Sequence, residues 1–141
     1  MEKKERYMNI FNNNLIRYGL LSLFIANSLA LFSQKSDDNV MSKSKGTYTI
    51  NTSSLCNTIG YRSTTPLIIT VRKDKIVSVE ALRNMESPQY FARVRKMMLS
   101  AYSGIKFKDY AKVDGVTGAT MTSNAVKAHV AKAYEYYRQN K

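Results

Sequence analysis

The stretch "PLIITVRKDKIVSVEAL", residues 66–82, constrains the fold more than any other. Its apolar residues recur every second position on both sides of a charged centre, Lys73-Asp74-Lys75. Successive side chains of a strand point to opposite faces, so Leu67, Ile69 and Val71 share one face. Val77, Val79 and Ala81 are expected to share a face of the second strand, which Ile76 begins. A turn between two such runs predicts an antiparallel hairpin. Pro66 stands at the strand start, where its missing N–H does little harm. "GTYTINT", Gly46 to Thr52, alternates β-favouring residues and adds a strand. Residues 53–65, rich in Ser, Thr, Asn and Gly, read as loop.

The period then changes. In "SPQYFARVRKMMLSAY", Phe91, Val94, Met98 and Ala101 fall at helical spacing. Ser87 and Pro88 suit the N-cap and first helical position. A second helix is expected to begin near Thr122 or Ser123, one of which would cap it, and to bury Val126, Val130, Ala133 and Tyr137. The Tyr134, Tyr136, Tyr137 group reads as core edge. Strands to one side and two helices to the other make an α+β domain: a small antiparallel sheet packed against two helices. No internal repeat is present.

The order of the first forty residues is that of an export signal. A net-positive start runs to Arg17, Gly19 to Ser33 is largely apolar, and a polar stretch follows. A largely apolar run of 15 residues is short of the about 20 that span a bilayer. Residues 1–33 therefore read as a signal peptide or a membrane-anchor helix, with the positive flank cytoplasmic and the remainder extracytoplasmic, in the periplasm or on the outer face of the membrane. Residues 34–45 read as a linker, and residues 46–141 as the domain.

The chain carries 22 Lys plus Arg against 10 Asp plus Glu, a formal charge of +12. From Gly46 onward there are 15 basic and 6 acidic side chains, so an excess of nine belongs to the domain. Such a balance suits an anionic partner, or simply a solvated basic surface. Cys56 is the single cysteine, which excludes an intramolecular disulfide and any cysteine-based metal cluster. His129, alone of its kind, suits packing better than a metal site. No metal site is expected. Nor is nucleic-acid binding, since no aromatic–basic RNA motif occurs and the export segment opposes it.

"DGVTGATMTSNAV", Asp114 to Val126, gathers small hydroxyl residues and glycines just before the last helix. Free backbone N–H groups and the positive dipole end would lie beside it, an arrangement suited to an anion. Gly118 and Ala119 leave Thr120 with little steric cover. No Gly-Lys-Ser/Thr follows, so this is not a Walker loop.

Asp114-Gly115-Val116-Thr117-Gly118-Ala119-Thr120 matches the pattern Asp-x-x-Ser/Thr-Gly-Ala-Thr, and Thr122-Ser123 continues it. The stretch resembles the flavinylation motif of the FMN-binding domain family, which includes the C subunit of the sodium-pumping NADH:quinone reductase and the G subunit of Rnf-type complexes. "GTYTINT" is similar to the family's opening strand, and "GYRSTTPLIITVRKDKIVSVEAL" to its Gly-Tyr loop and strand pair. "MESPQY" resembles its Glu-Thr-Pro-Gly loop beside the flavin, with Ser87 in place of threonine and Gln89 in place of glycine. The likeness covers about residues 46–137.

The resemblance implies covalent FMN, held by a phosphoester on Thr120, with Asp114, Thr117, Gly118, Ala119, Thr122, Ser123, Glu86 and Ser87 around it. Asp114 would orient the acceptor or assist a flavin transferase that uses FAD as donor. The Glu86 loop would border the ring; Tyr61 is a second candidate for that place, but reads better as a packed tyrosine. The implied protein relays electrons to redox partners that the sequence does not name and is not a complete enzyme. Two alternatives stay open: a flavin-dependent reductase, and a basic module that binds anions or membrane without flavin. The chain is shorter than the C or G subunits and looks like a stand-alone protein.

Overall fold

The computed structural model describes residues 40–141. The expected signal or anchor helix lies outside them. The described part forms one compact unit. It is α+β: four antiparallel strands in the order β1-β2-β3-β4 with helices on one face. The strands are β1, Met41–Ser44; β2, Thr47–Asn51; β3, Leu67–Arg72; and β4, Lys75–Ala81.

The hairpin forms as its periodicity requires. Lys73 and Asp74 have φ of 51° and 58°, the double left-handed turn that matches strand twist. Leu67, Ile69 and Val71 are fully buried. The second strand departs from expectation. Thr70 pairs with Ser78 but Val71 with Ile76, so Val77 is an extra, bulged residue. The phase slips there. Ile76 and Val79 face the core, and Val77 is 48% exposed.

Residues 41–44, expected to end a linker, instead form edge strand β1. Met41 pairs with Ile50 and Ser44 with Thr47. A short polar strand with exposed Ser and Lys is how a sheet edge avoids pairing with other chains. Its polarity hides it from a reading based on alternation. Inside the loop 53–65, Ile59 and Thr64 make one isolated bridge.

Helix α1 spans Pro88–Val94, with Pro88 at its start. Ser87 supplies the backbone carbonyl for Phe91 N–H at 2.9 Å, but its side chain makes no capping bond. The chain then widens into a π turn, Arg95–Leu99, and tightens into a 3-10 turn, Ser100–Tyr102. A π turn inserts a residue into the helical repeat. Phe91, Val94 and Met98 are buried as expected. The stripe then moves to Leu99 and Tyr102, and Ala101 is exposed.

Helix α2 spans Thr120–Asn140. It buries Val126, Val130, Ala133 and Tyr137 as expected, but begins two residues earlier than its apparent caps. Ala119 holds the N-cap position, and neither Thr122 nor Ser123 caps the helix. Tyr137 stacks edge-on to Tyr48, centroids 5.2 Å apart, and Tyr134 on Phe107 at 5.1 Å, the expected core edge.

Thr47 pairs with Arg72, so the β1–β2 and β3–β4 turns lie at one end of the sheet. The loops 52–66 and 82–87 lie at the other. Helix α2 starts beside the second end, at Glu86, and finishes beside the first, at Asp74. At its midpoint His129 is fully buried, its Nδ1 2.8 Å from Thr52 Oγ1. That hydroxyl also accepts the Leu67 N–H at 2.8 Å, so the lone histidine is a packing residue joining α2 to the β2–β3 connection. Burial pushes its pKa below the usual 6.5.

Candidate functional site

The carboxylate of Glu86 organises the end of the domain where α2 begins. Glu86 is only 6% exposed. It accepts the N–H groups of Tyr61, Arg62 and Ser63 at 3.2, 2.8 and 2.8 Å. The Thr122 hydroxyl donates at 2.5 Å to Oε2, the oxygen that also accepts Tyr61, while Arg62 and Ser63 share Oε1. One buried charge thus ties loop 61–63 to the first turn of α2. Burial pushes the Glu86 pKa up, but the hydrogen bonds from Thr122, Arg62, Ser63 and Tyr61 outweigh it and hold the group below the ordinary carboxyl value.

Gly60 makes the grip feasible. A Cβ there would stand 2.9 Å from Glu86 Oε1 and 3.2 Å from Thr122 Cα, inside contact distance. The loop closes through Gly60 N–H to Ser63 O at 2.8 Å, and Ser63 Oγ accepts the Met85 N–H at 2.9 Å.

The segment ahead of α2 is wound just as tightly. Ser123 Oγ accepts the Val116 N–H at 2.9 Å. Ala119 donates its N–H to Val116 O at 3.0 Å and accepts the Ser123 N–H at 2.9 Å. Gly118 has φ +80°, a conformation that suits glycine. Arg93, from α1, donates to Thr117 O at 3.1 Å, so its guanidinium lies alongside this loop.

Thr120 is left exposed at the first position of α2. Its neighbours Thr122 and Ser123 are buried and turned inward. Three hydroxyls within four residues therefore have separate duties: two hold tertiary bonds and one faces solvent. The first turn of an α-helix leaves backbone N–H groups without intrahelical partners, and the helix dipole is positive there.

A cleft of about 340 Å³ opens beside Thr120, lined by Tyr61, Tyr90, Gly118, Ala119, Met121 and Thr122. That volume is at the low end of the roughly 300–1,000 Å³ typical of ligand sites. Tyr61 is 62% exposed and Tyr90 44%. Ile59, Met85 and Met121 are also exposed. Aromatic faces beside an exposed hydroxyl, a helix N-terminus and an arginine suit a planar ring with an anionic tail. The residues present fit FMN in that sense.

Of the residues singled out from sequence, Thr120, Gly118, Ala119 and Thr122 converge on the cleft, and Glu86 lies directly behind Thr122. Thr117 stands over Arg93. Ser123 works from inside the preceding loop, and Ser87 caps α1 through its backbone. Asp114 does not reach the cleft. It is exposed and lines a separate groove with Lys112, Val113 and Gly115. Sequence reading missed Tyr90, Met121 and Arg93. Arg93 had no local signal, because its partner loop lies 24 residues further along.

Residues 60–135, more than half of the chain, match the family model described as FMN-binding domain. No curated protein and no solved structure matches the chain.

Proposed function

Because the chain belongs to the FMN-binding domain family, we propose that it is an exported or membrane-anchored flavoprotein carrying FMN covalently on Thr120 and relaying electrons. The observation that carries this reading is the Thr120 hydroxyl. It alone of the three clustered side chains faces solvent, at the mouth of the aromatic cleft and at the start of α2.

Attachment is a group transfer catalysed by a separate flavin transferase. Thr120 Oγ attacks the flavin-side phosphorus of FAD and an Oγ–P bond forms. The pyrophosphate bond breaks, AMP leaves, and the hydroxyl proton is released. The product is an FMN phosphoryl threonine. Bound FMN supplies one- and two-electron redox chemistry.

The chain's own residues position and shield. The first turn of α2 favours a nearby phosphodiester by about 0.3–1 kcal/mol. Arg93 adds a cation beside the loop that leads to Thr120. Tyr61 and Tyr90 offer aromatic walls for the ring, and Glu86 fixes the loop bearing Tyr61. The domain's positive excess favours a reduced, anionic flavin and so raises its potential. Asp114, exposed in its own groove, suits contact with the transferase rather than with the ring.

Export is supported by the residue order of the first forty positions. A covalent bond keeps a cofactor that diffusion would remove outside the cytoplasm. Redox partner proteins follow from a relay role.

Co-expression with a flavin transferase, followed by a denaturing gel, tests the proposal. In-gel flavin fluorescence and a mass increase of one FMN are expected for the parent, and neither for Thr120→Ala. A colourless, unmodified parent, or a labelled Thr120→Ala variant, overturns it.

A further inference from the structure

The opposite end of α2 carries a different surface. A second cavity, about 420 Å³, opens between the β3–β4 turn, the segment 106–108 and the last turn of α2. Six cations line it: Lys73, Lys75, Lys106, Lys108, Arg138 and Lys141. Asp74 is the one carboxylate in the lining, and Lys141 neutralises it at 2.8 Å. Five positive charges are left in excess. The β1–β2 turn brings Lys43 and Lys45 to the same end of the sheet.

We propose that this basic end is a docking surface for anionic phospholipid headgroups. The charge excess asks for an anionic partner, and its composition tells which kind. Five of the six cations are lysines. Lysine is a mobile point charge, whereas arginine's rigid fork suits fixed bidentate partners. Among the described residues the exposed large apolar side chains are Ile59, Tyr61, Val77, Met85, Tyr90, Met97 and Met121, and none of these lines the basic cavity. Protein–protein interfaces are depleted in lysine and centred on buried aromatic or arginine anchors. This end has five lysines to one arginine, Arg138 lies over the Tyr134 ring, and the lining aromatics Phe107, Tyr134 and Tyr137 are not among the exposed large apolar residues. A fluid anionic bilayer, whose headgroups move to meet ammonium groups, fits it better than an acidic protein. Single-stranded nucleic acid stacks its bases on aromatic faces. Here Tyr134 and Tyr137 turn their rings to Phe107 and Tyr48, within the core edge. The lining cations come from three separate segments: the β3–β4 turn, residues 106–108 and the last turn of α2.

Docking at this end has a geometric result. Helix α2 has 21 residues, so its two ends stand about 30 Å apart. A domain resting on headgroups by its basic end presents Thr120 and the aromatic cleft to partners in the aqueous phase. The surface is independent of whether Thr120 carries flavin.

Sedimentation of the full chain with vesicles, at limiting lipid, tests the proposal. Phosphatidylglycerol–phosphatidylcholine vesicles are compared with phosphatidylcholine alone, for the parent and for a Lys75→Glu, Lys106→Glu, Lys108→Glu variant. All three lysines are exposed, so the variant keeps its fold, checked by its thermal transition. Residues 1–39 are the same in both proteins, and lipid is held low enough that each stays partly unbound, so their contribution is a common factor. Partition into anionic vesicles is expected to fall at least about fivefold for each lysine replaced, and the difference to vanish at high salt. Equal partition of variant and parent overturns the proposal. So does a difference that persists at high salt. Tighter retention on duplex DNA or on an acidic protein than on anionic vesicles, at the same ionic strength, overturns the lipid assignment.

Discussion

Two carboxylates tie loops to the two ends of α2, and they do so in opposite ways. Glu86 is buried and saturated, with three backbone N–H groups and the Thr122 hydroxyl around it. Asp74 is two-thirds exposed and receives Tyr137 Oη–H and Lys141 Nζ, both at 2.8 Å on one oxygen. Hydrogen bonds to a buried charge are strong and costly to lose, whereas an exposed pair is screened and worth little. The end that carries the candidate site is therefore the end built for fixed geometry. The end that carries the cations is a solvated clasp.

The largest expected effect comes from emptying the buried grip. Glu86→Ala leaves three N–H groups and a hydroxyl without their acceptor, and a loss of about 3–5 kcal/mol is expected in denaturant unfolding. Flavin incorporation at Thr120 should fall with it. A loss under about 1 kcal/mol, no more than an exposed pair is worth, would erase the contrast between the two ends.

Acid sharpens the same contrast. The Glu86 pKa is depressed on folding, so its contribution is complete above the ordinary value of 4.5 and is lost as pH falls through the folded value. His129 is also depressed. Its neutral form is favoured in the fold, so stability begins to drop as pH falls below 6.5. Unfolding free energy should decline below 6.5 and again below 4.5. In Glu86→Gln the second decline should shrink.

Gly60→Ala attacks the grip from the side. Its Cβ would meet Glu86 Oε1 at 2.9 Å and the Thr122 backbone at 3.2 Å. Overpacking of this kind costs about 1–3 kcal/mol, read as a lowered denaturation midpoint. The smallest effect belongs to the exposed clasp. Asp74→Asn keeps the turn, since asparagine tolerates positive φ, and should cost less than about 1 kcal/mol.

Much of this fold is legible in the sequence because its signals are local. Leu67, Ile69 and Val71 alternate, Val126, Val130, Ala133 and Tyr137 repeat helically, and each pattern finds its expected face. Edge strand β1 is missed because it is short and polar, and two further errors arise where one residue is inserted into a repeat. The bulge at Val77 and the π turn after Val94 each shift the phase, and nothing local announces either. The threonine-rich loop is legible as a motif but not as a division of labour. Thr122 and Ser123 look like caps in sequence and hold tertiary bonds in the fold, Thr122 to a residue 36 positions away. Arg93 and His129 take their roles from partners 24 and 77 positions distant, which no window along the chain contains.

The most direct measurement is peptide mapping by mass spectrometry of the protein matured with its flavin transferase. One FMN, linked through phosphate, is expected on the peptide containing Thr120 and on that residue. Flavin mapped instead to Thr117, Thr122 or Ser123, or found on no peptide, would contradict it.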